Sequence, residues 1–194
     1  MLDVGNGTGC KPSSCSSMGK LATHRSSSSS LSSVLGTLFV GLLLISSASA
    51  ATWSGVASAC EPGSDSVGLY AYNVAQFHFA SNVTGQIKTR CNVANPMDSG
   101  VPAWTTLVVG YQDPDGTGIN YQVDVQLDRV SKSTGTSFII KTFDSSSFAS
   151  TGPTTHSVTF THTFDFTNYA YFVTMTVSRV DANQDPAVWY VQLK

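Results

Sequence analysis

Tyr121-Gln122-Val123-Asp124-Val125-Gln126-Leu127-Asp128 alternates without a break between apolar and polar side chains. A period of two places odd residues on one face of an extended chain and even residues on the other, so this stretch reads as a strand with one dry and one wet face. The same period runs through residues 169–179, where Tyr171, Val173, Met175 and Val177 share a side, and through 158–166, where Val158, Phe160, His162 and Phe164 do. Asp165 to Asn168 supplies turn formers between those two stretches, and the economical connection is a hairpin.

Further strands are expected over 69–79, 85–91, 105–111, 136–143 and 187–193, each rich in β-branched or aromatic residues. Asn95-Pro96, Asp113-Pro114-Asp115-Gly116 and Gly152-Pro153 interrupt the pattern, and no stretch carries a capped helical stripe. Eight or so short strands predict an all-β, antiparallel β-sandwich. A jelly roll is preferred over an immunoglobulin-like arrangement, because Cys60 and Cys91 lie too close in sequence to bracket an immunoglobulin core.

Working outward, the first fifty residues have a different character. Lys11, Lys20, His24 and Arg25 precede an apolar run from Val34 to Ile45, and Ala48-Ser49-Ala50 follows with small residues. That order is the grammar of a signal peptide cleaved after Ala50, and it predicts a secreted or periplasmic protein. The apolar run is about a dozen residues, short of the ~20 that span a membrane as a helix. The long basic region makes Met18 an alternative true start, which would remove Cys10 and Cys15. Residues 51–194 then form one β-sandwich domain of ordinary size. Ala57-Ser58-Ala59-Cys60 fits a lipidation box poorly, since Ala57 stands where a leucine is expected. Cys60 and Cys91 are instead expected to form a disulfide in an oxidising compartment.

The chain has 194 residues, a formal net charge of -2 and 11% charged residues, which gives no general electrostatic reason to expect nucleic acid as a partner. Ten Phe, seven Tyr and three Trp are enough to build a core. Asp113-Pro114-Asp115-Gly116-Thr117-Gly118 places two carboxylates on a glycine-bearing loop, so Asp113 and Asp115 are the residues that could hold calcium. An EF-hand register fails there, because Tyr111 and Gln122 would occupy positions that need carboxylates. The plain alternative is a tight turn.

Asp124 and Asp128 lie four residues apart on one strand, roughly 13 Å, too far to bracket one sugar bond as a glycosidase pair. His156 and His162 are roughly 20 Å apart by the same count and do not form a metal pair. His78 and His162 read as core or rim histidines. No serine-hydrolase elbow or zinc-protease motif occurs, so the reading leans against an enzyme.

Trp104, after Pro102 at a loop edge, is expected to be exposed and available for stacking on a sugar ring, whereas Trp189 is expected on an inner face with Ala187, Val191 and Leu193. Asn82-Val83-Thr84 is a glycosylation sequon, informative in a eukaryotic host. The leading functional expectation is a non-catalytic extracytoplasmic protein with a structural or interaction role, such as a surface adhesin or assembly subunit. The alternative is a carbohydrate-binding module, aided by calcium, with Trp104, Gln122, Asp124, Gln126 and Asp128 on the glycan. A small secreted hydrolase is a third class.

Overall fold

The structure is a computed structural model that describes residues 51–97 and 100–194. The leader, its cleavage after Ala50, the alternative start at Met18, and Cys10 and Cys15 lie outside the described residues.

Among the described residues eleven strands follow one another: β1 (Trp53–Val56), β2 (Glu61–Pro62), β3 (Tyr70–Asn73), β4 (Gln76–Phe79), β5 (Gly85–Val93), β6 (Thr106–Gln112), β7 (Tyr121–Ser131), β8 (Ser137–Asp144), β9 (Thr154–Thr159), β10 (Tyr169–Arg179) and β11 (Ala187–Leu193). They form two antiparallel sheets. The six-stranded sheet has the order β3-β4-β11-β6-β9 with β1 also on β11, and the five-stranded sheet has the order β2-β5-β10-β7-β8. Between β4 and β11 the chain passes repeatedly from one sheet to the other. The orders β4-β11-β6-β9 and β5-β10-β7-β8 are those of two interleaved Greek keys, the jelly roll.

The alternation read at 121–128 is the core of the five-stranded sheet. Val123, Val125 and Leu127 point inward beside Val177, Met175 and Val173 of β10. They meet Leu107, Val109, Val191 and Leu193 of the other sheet in one cluster of buried side chains. Each such burial stabilises by about 1.5–3 kcal/mol, so the two eleven-residue strands anchor the fold.

Three expectations are corrected. Residues 158–166 and 169–179 are not a hairpin: β9 pairs with β6 in one sheet, while β10 pairs with β5 and β7 in the other. The turn at Asp165 is real, with its carboxylate accepting from Thr167 and Asn168 backbone amides at 3.0 and 3.1 Å, but it carries the chain between sheets. Residues 69–79 are two strands rather than one, folded back at Val74, which is 95% exposed with φ of 54°.

The third correction concerns Trp189. Val188 pairs with Tyr111 and Tyr190 with Gly110, so Trp189 is the extra residue of a bulge. The bulge reverses the alternation, and Val188 and Val191 face the core. Trp189 and Tyr190 lie against the outer side of Gly110, where a Cβ would come within 2.4 Å of both rings.

Cys60 and Cys91 form a disulfide that ties the start of β2 to the middle of β5. It closes 31 residues of chain, for which lost unfolded-state entropy predicts a stabilisation of about 2–5 kcal/mol. Replacing both cysteines by serine is expected to lower the unfolding free energy measured by urea titration by that amount without changing the far-ultraviolet spectrum, and an unchanged free energy would refute this.

Candidate functional site

The outer face of the five-stranded sheet gathers most of the side chains singled out in the sequence. Strand register sets it row by row. Gln122 lies beside Ser178 and Gln86; Asp124 beside Thr176 and Lys88, with Asp144 on its other side; Gln126 beside Thr174 and Arg90, with Thr142 on its other side; Asp128 beside Phe172 and Asn92. Alternation requires this: once Val123, Val125 and Leu127 are inside, the four polar residues between and after them project together.

These side chains are not free in solution. Gln122 donates from Nε2 to Asp144 Oδ1 at 3.3 Å and to Ser146 Oγ at 3.0 Å. Burial raises the Asp124 carboxyl above the ordinary carboxylate range, and the charge of Asp144 adds to the effect. Asp128 is only 5% exposed, less solvated than the sequence implied. Burial raises its pKa, with the Arg90 guanidinium and the Thr174 hydroxyl acting against that rise. Arg90 lies flat over Phe172, its guanidinium carbon 4.7 Å from the ring centroid.

One margin of this face is a groove of about 380 Å³ between the Glu61–Ser66 segment and Lys88, Arg90 and Thr174. A second hollow of about 510 Å³ shares Glu61 and Arg90 with it and continues past Asn92 to Trp53. Gly55 makes room for the Trp53 ring: a Cβ on that residue would meet the ring at 3.0 Å and Cys91 Sγ at 3.1 Å. Sequence reasoning missed Trp53, Lys88 and Arg90. The alternation of Gln86, Lys88, Arg90 and Asn92 was the available signal, since it marks a second wet strand face.

Trp104 does not belong to this site, which corrects the expectation that it is exposed. It is fully buried, stands edge-on to Phe164 with centroids 4.9 Å apart, and donates from Nε1 to the Ala51 carbonyl at 2.6 Å. A ring so enclosed has no face for a ligand.

Asp113 and Asp115 sit at the end of β6, away from the four polar residues of β7 in sequence but linked to them through the short turn Ser145–Ser147. Ser145 Oγ donates to Asp113 Oδ2 at 2.5 Å and accepts from the Val123 amide at 2.8 Å. Asp113 is fully buried, and burial pushes its carboxyl up to about 7, the Ser145 hydroxyl opposing the rise and the neighbouring Asp115 reinforcing it. Tyr111 is pushed up to about 12 by burial and by the Asp113 charge. Among the described residues no group of three or more His, Cys, Asp or Glu is arranged to hold a metal.

His162 contacts the Tyr171 hydroxyl at 3.2 Å, and burial lowers its pKa. His78 meets Asp185 at 2.8 Å on the surface.

No family model and no curated protein sequence matches the chain. Among solved structures it is similar to the CBM36-1 domain of a multidomain xylanase from the hindgut metagenome of Trinervitermes trinervoides, with 10% identity, a TM-score of 0.44, and coverage of 74% of this chain and 97% of that one. It is also similar to the carbohydrate-binding module CBM36 in complex with calcium and xylotriose, with 12% identity, a TM-score of 0.43 and coverage of 73% and 99%. A third is the xylan-binding module CBM15, with 11% identity, a TM-score of 0.44 and coverage of 74% and 95%. At this distance none of the three assigns a ligand or a residue to this chain.

Proposed function

We propose that this chain is an exported, non-catalytic carbohydrate-binding module whose saccharide lies along the outer face of the five-stranded sheet. The observation that carries the reading is the register of β5, β10 and β7. It sets Gln122, Gln126, Thr174, Thr176, Lys88 and Arg90 in one grid, bordered by a groove that leads to the half-buried Trp53 ring. Amides, hydroxyls and a guanidinium side by side can exchange pairs of hydrogen bonds with neighbouring sugar hydroxyls, and a flat ring at the margin suits the apolar face of a pyranose. Asp124 and Asp128 lie within the grid, Asp128 close enough for the Arg90 charge to act on it. The disulfide supports the export reading, because such bonds persist in oxidising compartments.

Affinity electrophoresis against soluble polysaccharides tests the proposal, and xylan is a convenient first probe. The wild-type chain is expected to be retarded by at least one of them. Arg90→Ala and Gln126→Ala are each expected to weaken that binding about tenfold, the worth of a hydrogen bond to a charged or strongly polar group, with the melting temperature unchanged in Gln126→Ala. Silence of the wild type across a broad glycan array, or undiminished binding by both variants, would reject the proposal.

One observation favours the reading as an assembly subunit. β8 is an edge strand, and Phe138 and Ile139 on it are 48% and 61% exposed. An apolar edge is a template for pairing with another chain. Sedimentation velocity at rising concentration decides this: a persistent monomer speaks against self-assembly through β8, and a Phe138→Lys-sensitive dimer speaks for it.

A further inference from the structure

We infer that the end of the sandwich where β6 passes into β7 binds a calcium-class cation, held between the carboxylates of Asp113 and Asp115 with the Tyr111 hydroxyl at its side. Four buried side-chain oxygens among the described residues lack a hydrogen-bond partner, and three of them belong to this one cluster: Tyr111 Oη, Asp113 Oδ1 and Asp115 Oδ1. Tyr111 and Asp113 are both fully enclosed. Buried polar atoms are almost always paired, and three unpaired oxygens within the five residues 111–115 point to a missing partner.

The other oxygens of the cluster are accounted for. Asp113 Oδ2 accepts from Ser145, and Asp115 Oδ2 accepts from the Asn120 amide at 3.0 Å. Each carboxylate is thus fixed by one oxygen and has the other buried and unpaired. Asp113 is fully enclosed and Asp115 half-buried two residues on, so a cation between them would offset two negative charges held close together. A shared proton would pair the two carboxylates only with each other. A cation takes lone pairs from all three.

The donor set is oxygen throughout, which suits a hard ion and gives zinc nothing it prefers. The loop also closes tightly on Asp115. Gly116 adopts φ of 62° with the Ala149 carbonyl 3.1 Å from where a Cβ would be, and a Cβ on Gly118 would overlap the Asp115 carboxylate. An irregular donor set of carboxylate and hydroxyl oxygens favours calcium over the strict octahedron of magnesium. Through Ser145 the ion would also fix the turn whose neighbours, Asp144 and Ser146, hold Gln122 on the outer face.

This inference stands without the glycan reading, and its test uses no glycan. The purified chain, stripped with a chelator, is titrated with calcium and with magnesium at pH 8, following heat by calorimetry and unfolding by temperature. Calcium is expected to bind at one site and to raise the melting temperature by about 5–10 °C at a hundredfold excess over Kd, with magnesium much weaker. Asp113→Asn and Asp115→Asn are expected to abolish the shift. If either variant fails to fold, the wild-type titration still decides. No heat and no shift at calcium roughly tenfold above the ~10⁻⁴–10⁻³ M of extracellular sites would overturn the inference. Stability that follows pH but ignores calcium would overturn it too, in favour of the shared proton.

Discussion

Arg179→Ala is expected to destabilise the protein by about 3–5 kcal/mol, because the guanidinium is a buried cation with a full set of partners. It is 3% exposed at the end of β10. Its Nε donates to the Val83 carbonyl at 2.6 Å, one terminal nitrogen donates to the Gln184 carbonyl at 3.2 Å and to Asp185 at 3.3 Å, and the other donates to the Ser81 carbonyl. The group also lies over the Phe79 ring at 4.5 Å. One side chain thus holds the β4–β5 crossover against the β10–β11 loop, and alanine leaves three carbonyls and a carboxylate to find water or stay unpaired. Urea unfolding of the variant measures the loss. Arg179→Lys should recover only part of it, since an ammonium lacks the planar fork that reaches all these acceptors. A loss under 1 kcal/mol for alanine would show that the loops solvate these groups without help.

Trp104→Ala should cost a similar ~3–5 kcal/mol, the usual range for emptying a fully buried indole site. The ring closes one end of the sandwich with Phe164, Phe166 and Tyr171, and its indole nitrogen secures the chain at Ala51. This experiment separates two roles. A core tryptophan lowers the melting temperature when removed, whereas a ligand-stacking one lowers affinity and leaves stability alone. Thermal melts beside glycan retardation of a Trp104→Phe variant, which keeps much of the volume, make the distinction even if the alanine variant does not accumulate.

Where strands are long and one face is wet, the fold was legible in the residues themselves. β7 and β10 alternate for eleven residues each, and their inward and outward sets follow from period two alone. The polar grid was therefore half readable: Gln122, Asp124, Gln126 and Asp128 were found, while their partners on β5 and β10 needed the pairing. Sheet membership was not legible. Asp165 to Asn168 announces a reversal, but nothing local to it says that β9 and β10 join different sheets. Bulges defeat a period-two count, and so Trp189 was put inside when the extra residue turns it out. Trp104 was misread for a different reason: a proline-flanked coil suggests a surface position, yet it caps the core. Arg179 did leave a trace, as the one charged residue on the inward parity of β10. The unpaired oxygens of Tyr111, Asp113 and Asp115 become visible only once neighbours in space are known.

The pairing of β1 with β11 brings Trp53 directly opposite Leu193. Lys194 exchanges backbone hydrogen bonds with Thr106 in the same sheet, donating at 3.1 Å and accepting at 3.0 Å. The two ends of the sandwich therefore leave it side by side. A handful of residues would join them into a ring, and the β7–β8 turn around Gly135 offers an exposed place to reopen it, so the module lends itself to circular permutation. For the same reason it could be spliced into a loop of a host protein without prying that loop apart.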